Sequence, residues 1–261
     1  MATDAFSSAE VTEKIINLAS VKTTMPWYRQ LPLTVMAGIF ISCGAIFSLL
    51  IFQDSTLPYA VQRLVAGMVF SLGLSLVMVV GAELFTGNTM IGGAAVEKKI
   101  SWGAVLTNLV LVWLGNAIGS LLMVGLIYGA HVPDVANFHA GMIALAKAKM
   151  TPDWMTIFIK GILCNLLVCL GVWMGYAARS VADKVFGVML PVAAFVALGF
   201  EHCVANMFFL PMGLLVGLDQ PQRWMTVGNL VKNLSAATLG NIVGGAGLIL
   251  MYRFAHRHGK V

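Results

Sequence analysis

Six long apolar segments constrain this chain more than any other feature of its sequence. A helix needs about 20 predominantly apolar residues to cross the hydrocarbon core of a bilayer, and each segment has about that length. Only 10% of the 261 residues are charged and 59% are hydrophobic, whereas soluble domains carry about 25% charged residues. The sequence therefore predicts an all-α polytopic membrane protein embedded in a lipid bilayer. The six predicted transmembrane helices are Leu31–Phe52, Leu64–Phe85, Ala104–Tyr128, Met155–Tyr176, Val185–Leu210 and Trp224–Tyr252.

The basic residues indicate how the chain is oriented. Cytoplasmic loops are enriched in Lys and Arg, and the bias fits when both termini lie in the cytoplasm. Residues 1–30 are then an N-terminal cytoplasmic amphipathic helix, which serves either as an anchor or as a mobile gate. Residues 31–253 form a single six-helix transmembrane domain, and residues 254–261 form a cytoplasmic tail. The net charge of +5 is not gathered in a stripe or run, so no nucleic-acid partner is predicted.

The cysteines give no sign of a metal site or of disulfides. Cys43, Cys164, Cys169 and Cys203 all lie inside apolar segments, without the spacing of metal ligands. They are interpreted as small buried side chains, and no cofactor is predicted. A cleavable signal peptide is not expected either, because the first apolar segment is too long for the hydrophobic region of one.

Two copies of one polar motif lie in the apolar sequence. Glu201 and Asn206 belong to the pattern G-x-E-x-x-x-x-N, and Glu83 and Asn88 belong to the same pattern 118 residues earlier. His202 follows the second glutamate directly. An ionisable residue at membrane depth is costly, and it indicates a functional site. The repeated Glu83, Asn88 and Asn206 are interpreted as a structural repeat.

A second repeated motif extends the duplication to the rest of the chain. Leu114–Gly119 recurs as Leu239–Gly244, 125 residues later. Because each half has three spans, the second copy must be upside down relative to the first, and inverted 3+3 repeats place their site near the bilayer midplane. Helices 2 and 5 are predicted to be interrupted, at residues 85–89 and 201–206. Thr, Gly and Asn are poor helix formers, and unwound backbone at membrane depth must line a cavity or be buried in protein.

The motifs together resemble the formate/nitrite transporter family. The resemblance runs from the first span to the sixth. It rests on Gly81–Asn88, Gly161–Leu170, Gly199–Phe208 and Leu239–Asn241. It implies an aquaporin-like protomer with one pore, assembled as a homopentamer in the bacterial cytoplasmic (inner) membrane. The substrates implied are small monovalent anions: nitrite, formate or hydrosulfide.

The resemblance also implies roles for individual residues. His202 matches the central pore histidine, and Thr86 matches a threonine on the loop that interrupts the second helix. The other matches are two pore asparagines, Asn165 and Asn241, the adjacent acid Glu201, the constriction residues Phe70, Leu74 and Phe195, and Lys149 in the outer vestibule, with Lys147 as the competing position. From the residues alone, ordinary helix packing is the preferred explanation for Phe70, Leu74 and Phe195. Glu201 either orients the imidazole or caps helix ends.

The substrate and mechanism are less specified. Thr86-Gly87 and the short 218–228 connection resemble the nitrite branch, whereas Leu190–Phe195 and Met207–Met212 resemble the formate branch; nitrite is slightly favoured. Lys149 is expected to gather the anion. His202, with a reference pKa of about 6.5, is expected to donate to it with Thr86, or to exchange a proton so that the neutral acid crosses. Transport is then passive or proton-linked and depends on pH.

Three other classes of protein compete with an anion channel. A neutral-solute channel of the water or glycerol type has a similar inverted repeat, but the paired Asn-Pro-Ala motifs are missing here. A membrane enzyme would use Glu201 and His202 as acid and base, yet no cofactor motif or metal-spaced triad accompanies them, and no catalytic residue is predicted. A scaffold protein has no need of costly ionisable groups at membrane depth.

Overall fold

The computed structural model describes residues 5–53, 56–135 and 137–256, and this part of the chain is helical with short connections. The helices are α1 (Ser8–Thr24), α2 (Trp27–Phe52), α3 (Tyr59–Leu76), α4 (Phe85–Asn88), α5 (Gly92–Val96), α6 (Trp102–Gly129), α7 (Phe138–Met150), α8 (Trp154–Ala177), α9 (Val181–Ala197), α10 (Cys203–Val216) and α11 (Val227–Ala255). A π-helical turn, Val77–Gly81, continues α3, and 3₁₀ turns lie at Thr89–Ile91, Val132–Asp134 and Gly217–Asp219.

Five helices in the described residues are long and apolar enough to span a membrane. They are α2, α3 with its π-helical turn, α6, α8 and α11. The predicted fifth span, Val185–Leu210, is divided between α9 and α10, which have 17 and 14 residues. The predicted sixth span is shifted: α11 begins at Val227 and extends to Ala255. Residues 257–261 of the predicted tail lie outside the described residues.

Two glycines decide where the chain leaves the helical path. Gly81 (φ 91°) ends the π-helical turn, and Gly199 (φ 69°) follows α9. Both adopt the left-handed conformation that glycine takes without a steric penalty. Ala82 and Leu84 are extended, and α4 begins at Phe85. The predicted break at residues 85–89 is therefore wrong in position, and the one predicted at residues 201–206 overlaps the observed non-helical stretch only at Glu201 and His202. Residues 85–88 are helical, and α10 begins at Cys203.

The two halves pack in the same way. α2 lies between α3 and α6, while α8 lies between α9 and α11, and α3 packs on α9 across the halves. Close approach depends on small residues, as is usual for helices in membranes. A side chain at Gly119 would overlap the carbonyl of Val35, and one at Gly244 would overlap the carbonyl of Ile162. Gly119 and Gly244 are 125 residues apart, and their contacts Val35 and Ile162 are 127 residues apart, so the two contacts correspond in the repeat.

A helix precedes the long helices of each half. In α1, the capping box of Ser7 and Glu10 fixes the first turn, and the buried face of the helix, including Val11 and Ile16, packs beneath α5, α6, α8 and α11. The second, α7, was not predicted. It is short and carries two lysines, but it buries Phe138, Met142, Ala146 and Met150 and packs against α10.

Candidate functional site

Each break in the helices is braced by one asparagine. Asn116 of α6 accepts a hydrogen bond from the Phe85 N–H (2.9 Å) and donates to the carbonyls of Thr34 (2.8 Å) and Glu83 (2.9 Å). Both atoms of its amide are thus used on main-chain groups. Because buried backbone donors and acceptors need partners, this single side chain stabilises the start of α4.

The second break has the same brace. Asn241 of α11 accepts from the Cys203 N–H (2.9 Å) and donates to the carbonyls of Gly161 (2.8 Å) and Glu201 (2.9 Å). The predicted pore asparagine Asn241 therefore lies at the start of α10, with its amide occupied by backbone groups. The bracing atoms match those at Asn116 one for one.

A lysine and two asparagines surround Glu83. We call Lys22, Glu83, Asn88 and Asn108 the first cluster. Lys22 Nζ donates to both Glu83 oxygens (2.9 and 2.8 Å) and to Asn88 Oδ1 (2.7 Å). Asn88 Nδ2 in turn donates to Glu83 Oε2 (2.7 Å) and Asn108 Oδ1 (3.0 Å). The carboxylate and the ammonium neutralise each other, because burying a charge without a partner is costly.

The second cluster surrounds Glu201 and consists of Lys149, Glu201, Asn206 and Asn233. Glu201 Oε2 accepts hydrogen bonds from Lys149 Nζ (3.1 Å), Asn206 Nδ2 (2.7 Å) and Asn233 Nδ2 (3.3 Å). Asn206 Nδ2 also donates to Asn233 Oδ1 (2.8 Å). The partners of the Glu201 carboxylate in the described chain are therefore these three side chains and not the neighbouring imidazole.

His202 and Thr86 meet where the two breaks face each other. The imidazole Nε2 lies 3.2 Å from Thr86 Oγ1, and both side chains are buried. The other ring nitrogen, Nδ1, accepts a hydrogen bond from the Ala205 N–H (3.0 Å). Since Nδ1 is an acceptor, the network assigns the proton of the neutral ring to Nε2. His202 thus presents an N–H donor to Thr86, whose hydroxyl hydrogen stays free to donate.

Asn165 supports the threonine from below. Its Nδ2 donates to the Thr86 carbonyl (3.2 Å), to Thr89 Oγ1 (3.0 Å) and to the Asn241 carbonyl (2.5 Å). Cys169 Sγ lies 3.4 Å from the Thr86 carbonyl. The predicted polar residues Thr86, Asn165, Asn241 and His202 are therefore brought together in one buried network.

Aromatic rings form one wall beside the imidazole. Phe195 stacks on His202 with ring centroids 5.8 Å apart, and Phe70 meets Phe195 edge-on at 5.8 Å. Phe209, which the sequence did not single out, lies 6.4 Å from Phe70. Leu74 is buried too, but it packs towards Gly171 of α8 and is not among the residues that line the cavities described next.

Two cavities approach the Thr86–His202 pair, and they share no lining residue. The first cavity, of about 430 Å³, is lined by Lys22, Glu83, Leu84 and Gly87, among others. The second cavity, of about 40 Å³, is lined by Arg63, Phe70, Lys149, Phe195, His202 and Phe209, among others. His202 lines the second cavity, whereas Thr86 lines neither, and its chain neighbour Gly87 lines the first.

Comparison with known proteins identifies the family. A model of the family described as formate/nitrite transporter matches residues 9–255. The chain belongs to the formate/nitrite transporter family. It is accordingly a multi-pass membrane transport protein, and the interpretation as a membrane enzyme is excluded, because the relatives of this family member are channels and transporters.

Two named relatives align with most of this chain. It is 38% identical to the protein named formate channel FocA of Haemophilus influenzae, over 93% of this chain and 91% of that protein. It is 39% identical to formate channel FocA of Escherichia coli, over 83% of this chain and 82% of that protein. The nitrite preference indicated by the sequence stays a prediction.

Solved structures resemble this transporter along nearly its whole chain. A structure described as "Pentameric formate channel with formate bound" superposes with a TM-score of 0.80 and 33% identity, covering 89% of this chain and 98% of that one. A structure described as "FNT family ion channel" superposes with a TM-score of 0.85 and 30% identity, covering 94% and 98%.

Several residues of the site were missed at the sequence level, although the repeat carried a signal for most of them. Lys22 precedes Lys149 by 127 residues, and Asn108 precedes Asn233 by 125, which is the offset already seen for Asn116 and Asn241. Extending the repeat along the chain would have found both pairs. Arg63 has no such signal.

Proposed function

We propose that this protein carries a small monovalent anion across the membrane, with formate as the first candidate and nitrite as the second. The observation that carries the proposal is the buried Thr86–His202 pair, with the second cavity lined by His202 and the first lined by Gly87, the chain neighbour of Thr86. The names of the relatives support formate over nitrite and hydrosulfide. The neutral-solute channel has no comparable support among them.

The proposed architecture has six crossings in two inverted halves. The broken pair α9 and α10 together forms the fifth crossing, and α3 with α4 forms an interrupted second one. The matched braces of Asn116 and Asn241 support the duplication. The protomer is aquaporin-like, has its own pore and assembles as a homopentamer; its similarity to the solved pentameric formate channel supports this assembly. We place it in the bacterial inner membrane with both termini in the cytoplasm.

The anion enters by the second cavity, which this topology places on the outer side. Lys149 attracts it, and Phe70 and Phe195, which line this cavity, constrict the path before the centre. Moving an unpaired charge out of water costs many kcal/mol, so hydrogen-bond donors must replace the water. The Nε2–H of His202 and the hydroxyl of Thr86 are such donors, and the first cavity receives the anion beyond them.

The protonation state of His202 separates two forms of this mechanism. With Nδ1 occupied by the Ala205 N–H, the neutral imidazole donates a hydrogen bond without giving up its proton. This geometry supports the passive form of transport. The proton-linked form requires an imidazolium, in which Nδ1 also carries a hydrogen. That Nδ1–H would point at the Ala205 N–H, so two donors would face each other.

Uptake into vesicles tests both the function and its form. Purified protein in liposomes is given formate, nitrite, hydrosulfide or glycerol, and uptake is followed by light scattering while the membrane current is recorded. We expect formate uptake with a current, and little uptake with His202→Ala. His131→Ala is the matched control, since His131 is an exposed histidine that is distant from His202 in the sequence. Glycerol uptake without anion uptake would overturn the function, and anion uptake without current would favour the proton-linked form.

A further inference from the structure

Arg63 of α3 clamps the backbone that leads to His202. Its Nε donates to the Ala197 carbonyl (2.9 Å) and its Nη2 to the Val196 carbonyl (2.9 Å). These carbonyls lie at the end of α9, where main-chain acceptors lack helical partners and the helix dipole is negative. The left-handed Gly199 follows directly. Arg63 therefore fixes the break three residues before the histidine.

The same guanidinium carries a charge that no carboxylate of the described residues pairs with. Lys149 also lines the second cavity, but Glu201 neutralises it at 3.1 Å. The partners of Arg63 within the described chain are the two carbonyls and the Phe52 ring, 4.9 Å away. Of the two cations lining the second cavity, Arg63 is thus the one without an anionic partner among the described residues, and its charge adds to the attraction that Lys149 exerts on an anion there.

The internal repeat sets Arg63 apart from the framework. The offset of 118 residues that relates Glu83 to Glu201 relates Arg63 to Val181, and Val181 is exposed and apolar. The first cavity has its own lysine–glutamate pair but no arginine among its lining residues. A residue needed only to hold a broken helix would be expected in both halves. Arg63 belongs to one side alone.

We propose that Arg63 is a positioning and anion-selecting residue of the second cavity, and that it favours small planar oxyanions over spherical ones. This inference rests on the proposed function. A guanidinium has five N–H donors in a planar fork that matches a carboxylate, and two of them are used on carbonyls. The remaining donors suit the two oxygens of formate or nitrite. Hydrosulfide has no second acceptor with which to use the fork.

Paired flux measurements test the proposal. Formate and hydrosulfide uptake are measured at low and high salt for the wild type, Arg63→Gln and Arg63→Lys. The uptake into protein-free liposomes is subtracted from each value. For Arg63→Gln we expect the half-saturating formate concentration to rise about tenfold at low salt and about threefold at high salt, because salt screens exposed charge. The ratio of formate to hydrosulfide uptake should fall several-fold. Arg63→Lys should restore the salt dependence but not the ratio, since lysine keeps the charge and loses the fork.

Arg223→Gln is the matched control, because it removes the same charge from an exposed loop position, and it should leave both readouts unchanged. Equal losses of formate and hydrosulfide uptake at every salt concentration would reduce Arg63 to a structural clamp and overturn the proposal. Unchanged uptake in Arg63→Gln would do the same. If Arg63→Gln fails to fold, the ratio of formate to hydrosulfide uptake by Arg63→Lys becomes the test. A ratio equal to that of the wild type would overturn the role of the planar guanidinium. Absence of anion uptake by the wild type would instead refute the proposed function.

Discussion

The clusters around Glu83 and Glu201 contain the same chemical groups but hold their lysines differently. Lys22 makes three short hydrogen bonds, the shortest to Asn88 Oδ1 at 2.7 Å. Lys149 makes one, to Glu201 at 3.1 Å, and its ammonium lies 5.9 Å from the Phe209 ring centre. The corresponding acceptor, Asn206 Oδ1, is buried without a partner in the described chain. Both lysines line a cavity, but Lys22 is locked into the framework, whereas Lys149 has donors to spare.

The shared parts of the two halves meet a physical requirement, and the unshared parts supply the chemistry. Both breaks need their backbone groups satisfied and their charges neutralised, so both have an asparagine brace and a lysine–glutamate pair. At the centre the halves differ. By the 118-residue offset, His202 stands where the first half has Leu84, and Thr86 where the second half has Val204. Framework and function can therefore be altered separately.

The largest effect is expected from removing the locked lysine. Lys22→Met leaves Glu83 with Asn88 as its remaining side-chain donor, whereas Lys149→Met leaves Glu201 with two amide donors. Breaking a buried ion pair costs roughly 3–5 kcal/mol, so Lys22→Met should lower the thermal unfolding midpoint in detergent markedly and more than Lys149→Met. The exposed Lys147→Met on α7 serves as control. An equal loss in both cluster variants would contradict the distinction between locked and free lysines.

Making the centres of the two halves alike should stop transport while preserving the fold. His202→Leu introduces the residue of the first half and removes the Nε2–H donor. A hydrogen bond to a charged group contributes about 1.5–3 kcal/mol, so formate uptake should fall about 10- to 150-fold. Leu84→Ile, at the corresponding position, should leave uptake close to that of the wild type. Wild-type uptake by His202→Leu would show that the histidine does not contact the anion.

A smaller effect is expected from the threonine. Thr86→Val introduces the β-branched residue that the second half has at this position and removes only the hydroxyl. A neutral hydrogen bond contributes about 0.5–1.5 kcal/mol, which corresponds to a loss of formate uptake of about 2- to 12-fold. Thr86→Ser keeps the hydroxyl and should retain most of the activity. If Thr86→Ser were as impaired as Thr86→Val, packing and not hydrogen bonding would explain the requirement.

The smallest effect is expected from the contact between Glu13 of α1 and Lys99, a contact that α7 lacks. The pKa of Glu13 is lowered from its ordinary value of 4.5, chiefly by the hydrogen bond from Lys99. A lowered pKa in the folded state contributes stability that is present above the ordinary pKa and is lost as the pH falls through the lowered value. The pair is half-exposed, so it is worth less than about 1 kcal/mol.

Thermal unfolding of wild type and Glu13→Gln measures this contribution. The wild type should unfold at a slightly higher temperature near neutral pH, and the difference should vanish in acid below the lowered pKa. A difference that persists there would assign the effect of Glu13 to packing and not to its charge.

The sequence predicted the duplicated polar centre but not the path of the backbone around it. Glu83, Asn88, Glu201 and Asn206 are recognisable because a polar residue in an apolar run is costly. The position of the first break was predicted wrongly, because Thr86 and its neighbours look like poor helix formers. The asparagine brace and the left-handed Gly81 move the break upstream and let residues 85–88 stay helical.

The elements outside the apolar segments were harder to predict. The periodicity of α7 is short, and its role becomes evident only once Lys149 is seen beside Glu201. Arg63 stands near the start of α3, far in sequence from the carbonyls it binds. Contacts between residues more than 130 positions apart leave no local pattern in a single sequence. The repeat could identify only those long-range partners that occur twice.

The order in which the partners of each glutamate are synthesised gives the two breaks different histories. Each glutamate finds its lysine, Lys22 or Lys149, already made, and Glu83 then needs Asn108, 25 residues further on, and the Asn116 brace, 33 residues further on. Glu201 must wait for Asn233 and for the Asn241 brace, 40 residues further on. In addition, neither α9 nor α10 reaches the roughly 20 residues of a spanning helix. During synthesis, the break that holds His202 is therefore the last to be completed, and an unfinished chain has no closed centre.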